Sequence, residues 1–234
     1  MTKTALITGA SKGLGRALAA ELVRDGWTVI VNARSAEALA EAAAGLGPGV
    51  VTVPGDVTDP AHRDDLVRAV TEAGGIDLLV NNAGTLGTTP LPRLADQPLD
   101  DLEAAFRTNV TAPLALIQAF LPGLRERGGA ILNISSDAAV KPYETWGGYG
   151  STKAALEQLS HVLAAEEPGL AVWWVEPGDM RTDMLRASGE DADAAPPPEH
   201  AAAALRTLIE ERRPSGRHRV ADLANPTISE GSAQ

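Results

Sequence analysis

Short apolar runs rich in Val, Ile and Leu alternate with longer segments of helical period along this chain of 234 residues. The runs are apolar without interruption, which indicates strands that are buried on both faces, as in a parallel sheet covered by helices. Crossovers between parallel strands are right-handed, so successive strand–helix units wind into three layers. The pattern therefore predicts an α/β fold: one doubly wound domain whose parallel sheet has about seven strands, with helices on both faces.

The elements predicted from this pattern cover most of the chain. Strands are expected at residues 4–8, 28–32, 50–54, 78–81, 130–135 and 171–176, with a weaker one near 217–221. Helices are expected at residues 14–25, 36–46, 61–73, 99–127 with a kink around Pro113, 150–167 and 198–211. No linker separates these elements, so residues 1–224 are predicted to form a single domain and residues 225–234 a disordered tail.

Residues 187–198 interrupt the alternation, because they are polar and end in three consecutive prolines. Two interpretations stay open: a plain surface connection, or a mobile flap within a substrate-loop region at about 183–200. The flap is considered because loops at the carboxyl ends of the strands carry function in such folds.

Charge and composition limit the classes of partner and site. The formal net charge is −11 at pH 7, which disfavours binding to nucleic acid or anionic membranes. The absence of cysteine excludes disulfide scaffolds, zinc fingers, iron–sulfur clusters and cysteine nucleophiles. The four histidines lack metal-ligand spacing, so no metal site is expected. The sequence shows neither a signal peptide nor the ~18-residue apolar run of a membrane span, so a cytoplasmic protein is expected.

A glycine-rich turn, Thr8-Gly9-Ala10-Ser11-Lys12-Gly13-Leu14-Gly15, joins the first predicted strand to the first helix. Gly9 permits the tight turn, Gly13 allows the backbone to approach a phosphate, and Gly15 allows the helix to pack on the sheet. The helix N-terminus adds free N–H groups and a partial positive charge for a pyrophosphate. Since the turn directly follows the first apolar strand, it predicts a Rossmann-type dinucleotide site.

Two cations near the expected adenosine ribose favour NADP(H) over NAD(H). An NAD site usually has an acidic residue at the end of the second strand, where this chain has Val31-Asn32-Ala33-Arg34. Lys12 in the glycine turn is expected near the same ribose. A charge-assisted hydrogen bond contributes ~1.5–3 kcal/mol, so we expect NADPH to bind at least about tenfold tighter than NADH. The alternative is that both cations are only solvated.

Tyr149 and Lys153 are expected on one face of the helix after the fifth strand, because they are four residues apart. A phenol titrates near pH ~10, too high for efficient proton transfer at neutral pH, and a neighbouring cation is expected to lower its pKa. Tyr143, the only other tyrosine, has Gly147 in place of that lysine. Tyr149 is therefore the single candidate for a tyrosine acid or base.

Further polar residues follow the fourth and fifth strands, at the edge of the sheet where such folds bind ligands. Ser136 follows the fifth strand, thirteen residues before Tyr149. The segment Asn81-Asn82-Ala83-Gly84 ends the fourth strand, and Asn109 lies in the next helical stretch. These side chains are expected to meet at one edge.

Together these motifs resemble those of the short-chain dehydrogenase/reductase family, in its single-domain form, over about residues 3–185. The resemblance implies that Tyr149 is the catalytic acid/base and that Lys153 lowers its pKa and binds the nicotinamide ribose. It also implies that Ser136 polarises the substrate carbonyl and that Asn109 holds a water in a proton relay. The cofactor contacts that it implies are Gly9, Ser11, Lys12, Gly13, Leu14, Gly15, Arg34, Asp56, Val57, Asn82, Ala83, Gly84, Tyr149, Lys153, Pro177, Gly178 and Thr182.

The activity implied by the resemblance is that of an NADPH-dependent carbonyl reductase or alcohol dehydrogenase. Such an enzyme transfers a hydride between NADP(H) and a ketone or aldehyde, with a tyrosine as acid/base. Two alternatives stay open: a catalytically idle dinucleotide-binding sensor or structural protein, and an NAD-dependent alcohol dehydrogenase. Tyr143 and Trp146 lie between Ser136 and Tyr149, where they either line the substrate pocket or pack against neighbours.

The family also implies a homodimer or homotetramer, with the helical segments 99–127 and 150–167 at the dimer interface. The chain departs from the family after Pro214, since many members continue with a final strand and a Gly-Gly turn that supports tetramers. The resemblance therefore does not choose between the two oligomeric states.

Overall fold

The computed structural model describes residues 2–223, so the predicted disordered tail at 225–234 lies outside the described residues. Seven parallel strands form one sheet in the order β3-β2-β1-β4-β5-β6-β7. The strands are β1 (Thr4–Ile7), β2 (Thr28–Ala33), β3 (Val50–Pro54), β4 (Leu78–Asn81), β5 (Ala130–Ile134), β6 (Ala171–Glu176) and β7 (Gly216–Arg219). The predicted seven-stranded parallel sheet is confirmed.

Burial along the strands follows their place in the sheet. Every residue of β1, β4 and β5 is buried, and these strands occupy the middle of the sheet. The two edge strands, β3 and β7, are only partly buried. An uninterrupted apolar run is therefore found where helices cover both faces of a strand.

Helices pack on both faces of the sheet, as the sequence predicts. They are α1 (Gly13–Arg24), α2 (Ala36–Ala44), α3 (Pro60–Glu72), α4 (Leu99–Phe106), α5 (Ala112–Arg127), α6 (Gly147–Glu166), α7 (Asp183–Ala187), α8 (Pro198–Glu211) and α9 (Val220–Leu223). One core cluster joins the sheet to α1, α2 and α8, and a second joins it to α3, α5 and α6. In the described part of the chain, no helix is long and apolar enough to cross a membrane.

The helical segment predicted at 99–127 is present in pieces, with an irregularity close to Pro113 as predicted. The structure has α4, then a wide π-turn at Arg107–Thr111, and then α5. Pro113 is the second residue of α5, and its ring and missing N–H exclude a regular hydrogen bond to the carbonyl of Asn109, four residues earlier. Asn109 is fully buried in the π-turn. Such turns are frequent at functional sites.

Two further elements differ from the sequence prediction. The weak strand expected near 217–221 ends at Arg219, and the chain turns directly into α9. The substrate-loop region begins with the unpredicted helix α7, whose start is capped because the Thr182 hydroxyl accepts a hydrogen bond from the Leu185 N–H at 3.3 Å. Part of that region is therefore helical rather than irregular.

The topology creates one crevice at the carboxyl edge of the sheet. From β1 the chain proceeds outward to β2 and β3, and then crosses back to place β4 on the other side of β1. The loops after β1 and β4 leave in opposite directions at this reversal. In open α/β sheets a ligand site is expected there.

Candidate active site

The glycine turn after β1 is held against the loop after β4. The Asn82 side-chain amide donates hydrogen bonds to the carbonyls of Thr8 and Gly9, at 2.8 and 3.1 Å. The Thr8 hydroxyl accepts hydrogen bonds from the backbone N–H groups of Asn82 and Ala83, both at 3.0 Å. Thr8 was not among the predicted site residues, although it opens the glycine motif. It joins the two loops that border the crevice.

Two glycines of the turn have no room for a side chain. Gly9 has a φ of +66°, and a Cβ there would lie 2.8 Å from the Cα of Ala83. A Cβ on Gly15 would lie 2.5 Å from the Asn82 amide nitrogen and 2.7 Å from the Gly9 carbonyl oxygen. The motif predicts that the first helix packs closely on the sheet, and in the structure α1 comes close to the loops after β1 and β4.

A single cleft of about 1450 Å³ extends from this turn across the carboxyl edge of the sheet. Most of the predicted site residues line it: Gly9, Ser11, Lys12, Gly13, Leu14, Arg34, Asp56, Val57, Asn82, Ala83, Gly84, Ser136, Trp146, Tyr149, Lys153, Pro177, Gly178 and Thr182. Gly15 and Asn109 are buried behind its wall. Tyr143 does not line the cleft but lies beside a small neighbouring depression.

At one end of the cleft the predicted adenosine contacts come together. Arg34 is exposed directly after β2. Both the N–H and the hydroxyl of Thr58 donate to the Asp56 carboxylate at 2.8 Å. Burial disfavours the Asp56 anion, but the hydrogen bonds from Thr58 and the charge of Arg34 outweigh it, so its pKa is lowered. Asp56 is therefore an acceptor at neutral pH.

Lys12 forms an ion pair that the sequence did not predict. Its Nζ donates to the Asp183 carboxylate at 2.7 Å, across the mouth of the cleft and onto α7. The hydrogen bond from Lys12 and its charge hold the pKa of Asp183 below its ordinary value. Lys12 is predicted to lie beside the adenosine ribose with Arg34, and in this structure its exposed ammonium pairs with Asp183 of the substrate-loop region.

At the other end of the cleft, β5 and α6 bring Ser136, Tyr149 and Lys153 together. Ser136 caps the 3₁₀ turn Asp137–Ala139, because its hydroxyl accepts from the Ala138 N–H at 3.1 Å. Tyr149 lies in the first turn of α6, and the Lys153 Nζ lies 5.6 Å from the centre of its ring. The same Nζ donates to the carbonyl of Ile134, at the end of β5, at 2.8 Å.

Asn109 is hydrogen-bonded through its whole side-chain amide. Its nitrogen donates to the Thr85 carbonyl at 2.8 Å and to the Thr152 hydroxyl at 2.9 Å. Its oxygen accepts from the Thr85 N–H at 2.9 Å. The π-turn thus ties the loop after β4 to α6 between Tyr149 and Lys153. Thr152, which has no distinguishing signal in the sequence, is part of that link.

The pKa values of Tyr149 and Lys153 differ from the sequence expectation. Tyr149 is only 7% exposed, and this burial raises the pKa of its phenol, with a partial offset from the Ser136 hydroxyl. Burial lowers the pKa of Lys153 to about 8, against the opposing charge of Glu157. The net pKa of Tyr149 is therefore raised rather than lowered, because desolvation outweighs the lowering expected from Lys153.

The two aromatic residues considered for the substrate pocket have different environments. Trp146 borders the cleft and meets the Tyr149 ring edge to face, with centroids 5.8 Å apart. The Tyr143 hydroxyl donates to the Asp137 carboxylate at 2.5 Å, and Tyr143 is 43% exposed. Of these two residues, Trp146 alone lines the cleft. Within residues 2–223 no cluster of three or more His, Asp or Glu side chains is arranged to hold a metal ion.

Comparison with known proteins gives the same family from sequence and from structure. The model of the short chain dehydrogenase family matches residues 3–193. Serine 3-dehydrogenase of Rhizobium radiobacter is 40% identical over 195 residues, which span 81% of this chain and 77% of that enzyme.

Two solved structures have the same fold over nearly the whole chain. An alcohol dehydrogenase of Thermococcus sibiricus, complexed with 5-hydroxy-NADP, has a TM-score of 0.85 and 28% identity and covers 94% of this chain and 96% of its own. L-Sorbose reductase of Gluconobacter frateurii, complexed with NADPH and L-sorbose, has a TM-score of 0.81 and 30% identity, over 93% of this chain and 94% of its own.

Proposed function

This chain belongs to the short chain dehydrogenase family of oxidoreductases, and we propose that it is an NADPH-dependent carbonyl reductase or alcohol dehydrogenase. The observation that carries the proposal is the arrangement of the cleft. Ser136, Tyr149 and Lys153 line one end, while the glycine turn and Arg34 line the other. A dinucleotide on that turn would extend toward the catalytic tyrosine.

The described residues fit a nicotinamide dinucleotide. The volume of about 1450 Å³ exceeds the ~300–1,000 Å³ of pockets for drug-sized ligands, which leaves room for a dinucleotide and a small substrate. A Cβ on Gly13 would lie 3.3 Å from the Thr182 methyl, so this glycine keeps the passage between the turn and the loop after β6 open. When bound, the cofactor supplies or accepts the hydride.

The chain's own residues would handle the proton. Because burial raises its pKa, Tyr149 is protonated at neutral pH and can donate its phenolic proton to the oxygen of a carbonyl under reduction. The Ser136 hydroxyl lies on the same side of the cleft and would orient that carbonyl. The Lys153 ammonium would stabilise the phenolate that proton donation leaves behind. Asn109 would stabilise this arrangement through its hydrogen bonds to Thr85 and Thr152.

The preference for NADPH is part of the proposal. Arg34 supports it, because this cation stands exposed where NAD sites carry an acid. Two structural neighbours are complexed with NADPH or an NADP derivative, which also supports it. Lys12 contributes less to this argument, since Asp183 already binds it.

Replacing Arg34 by Leu is expected to weaken NADPH binding about tenfold or more, because one charge-assisted hydrogen bond to the 2′-phosphate is lost. NADH, which lacks that phosphate, should bind within about twofold of its wild-type affinity. Fluorescence titration of both cofactors measures the effect. Lys12→Met is the matched control and should cost less than Arg34→Leu. Equal NADPH and NADH affinities in the wild type would contradict the NADP preference and favour the NAD-dependent alternative.

The test of the activity is a screen of ketones and aldehydes, followed by the absorbance of NADPH. L-Sorbose as oxidant of NADPH, and serine as reductant of NADP+, belong in the panel because relatives are named for these compounds. Oxidation of NADPH by at least one carbonyl is expected. NADPH binding without turnover across the panel would favour the idle sensor or structural protein instead.

The chain is proposed to form a homodimer or homotetramer of single-domain subunits. We expect residues 1–224 to act as one domain, and two copies to meet through α4, α5 and α6. Exposed apolar side chains on these helices, Leu99 at 75% and Val162 at 44%, support a homodimer or homotetramer. The net charge of −11 supports the absence of a nucleic-acid partner. We also propose a cytoplasmic location.

A further inference from the structure

The edge strand β7 brings one guanidinium, that of Arg217, into contact with three elements around the catalytic end of the cleft. Its Nε lies 3.0 and 3.2 Å from the two carboxylate oxygens of Glu157 on α6. Its Nη1 lies 3.2 Å from the Glu176 carboxylate at the end of β6. Its Nη2 donates to the backbone carbonyl of Ser136, after β5, at 3.4 Å. A single side chain therefore connects β5, β6 and α6.

The partners of Arg217 are poorly hydrated. The side chains of Glu157 and Glu176 are each 12% exposed, and that of Arg217 is 24% exposed. Glu176 has a second cation, Arg219, at 3.4 Å. Among the ion pairs of residues 2–223, Glu157 pairs with Arg217 alone. Glu157 also accepts a hydrogen bond from the Ser135 hydroxyl at 2.6 Å, but this donor is neutral, so without Arg217 the buried carboxylate would have no compensating ion pair.

Glu157 also influences the catalytic lysine. It lies one helical turn after Lys153 on α6, and its charge raises the pKa of Lys153 against the effect of burial. The other titratable groups around this pair are Tyr149 on the same helix and Asp137 after β5, which acts on Tyr149. If Arg217 were removed, the Glu157 carboxylate would attract the Lys153 ammonium away from its present position at the end of β5.

We propose that Arg217 is a positioning residue of the reaction. It holds the backbone of Ser136 after β5. It also forms an ion pair with Glu157, so that the Glu157 carboxylate does not attract Lys153 away from the catalytic tyrosine. The inference rests on the proposed carbonyl reductase activity, and it gives β7 a role in catalysis in addition to closing the sheet.

The first test compares Arg217→Met with Arg219→Met. Both substitutions remove one cation from β7, but Arg219 contacts Glu176 and neither Ser136 nor Glu157 in the described structure. With the carbonyl found in the screen, kcat of Arg217→Met is expected to fall about tenfold or more, because misplacement of catalytic groups is costly. The Kd of NADPH should stay within about twofold, as should kcat of Arg219→Met. Equal losses in the two variants would overturn the proposal.

A second pair of variants separates positioning from general stability. Arg217→Lys keeps the charge and should fold, but a single ammonium does not reach all three partners, so its kcat should still fall severalfold. Wild-type kcat in Arg217→Lys would overturn the proposal.

Glu157→Gln removes the carboxylate that forms the ion pair with Arg217. The double variant Arg217→Met/Glu157→Gln should therefore recover at least about threefold of the lost kcat, and no recovery would count against the proposed coupling.

A readout without substrate keeps this inference separate from the proposed function. The chain has only four lysines, Lys3, Lys12, Lys141 and Lys153, so their side-chain NMR signals can be titrated individually. The pKa of Lys153 should rise above about 8 in Arg217→Met and fall below it in Glu157→Gln. An unchanged titration in both variants would overturn the inference. A wild type that turns over no carbonyl would contradict the proposed function alone.

Discussion

Tyr149→Phe is expected to lower turnover about 10³-fold or more while NADPH still binds with wild-type affinity. A positioned general acid contributes ~10²–10⁴-fold, and the substitution removes the proton donor while keeping the ring that packs against Trp146. Steady-state reduction of the carbonyl from the screen, together with fluorescence titration of NADPH, measures the two effects separately.

The matched control for this experiment is Tyr143→Phe, since the chain has only two tyrosines. Tyr143 is exposed, does not line the cleft, and donates its hydroxyl to Asp137. Its loss should change turnover by no more than about threefold, as for an exposed hydrogen bond. A fully active Tyr149→Phe enzyme, or equal losses in the two variants, would refute the assignment of Tyr149 as the acid.

The second large effect is expected for Lys153→Met, which should reduce turnover about 10²-fold because the phenolate formed by Tyr149 loses its neighbouring cation.

Carbonyl reduction by the wild type should also depend on pH through Lys153, because burial lowers the pKa of this lysine to about 8. The cation is therefore present at pH 7 and is lost as the pH rises through about 8. Carbonyl reduction by the wild type should decline above that pH, as measured by kcat from pH 6 to 10.

The same lysine should make stability depend on pH in the opposite sense. The pKa of Lys153 is about 8 in the folded protein, against ~10.4 in an unfolded chain. Between these values the unfolded chain binds more protons, so the free energy of unfolding rises with pH. Urea denaturation of the wild type and Lys153→Met should therefore diverge by about 2–3 kcal/mol in favour of the wild type between pH 7 and 10.5. A constant difference between the two proteins would show that Lys153 is not buried as a cation at neutral pH.

The sheet could be predicted because local pattern and tertiary environment agree in its strands. A run such as β5 is apolar along its whole length, and the structure buries every residue of it. The segment from α4 to α5 was harder to predict. Pro113 predicts an irregularity, and the structure has it one turn earlier, at the π-turn around Asn109. The sequence does not show that the Asn109 side chain binds Thr85 and Thr152, which are far apart in sequence.

The candidate site also combines features that local sequence predicts with features that depend on residues distant in sequence. Spacing alone places Tyr149 and Lys153 on one face of a helix, and the glycine motif alone indicates where α1 approaches the sheet. Spacing did not show the direction of the Tyr149 pKa shift, because desolvation depends on what surrounds the ring. It also did not show that Lys12 binds Asp183, a contact across 171 positions of the sequence.

By itself, then, the sequence determined the doubly wound fold, the family, and a set of site residues most of which line the cleft. These follow from periodicity and short motifs, which are local properties of the chain. Only the tertiary structure decided the partners of the charged side chains, the ionisation of Tyr149 and Lys153, and the position of Arg217 between β5, β6 and α6. Hydrogen bonds, burial and charge act through space, so residues distant in sequence decide them.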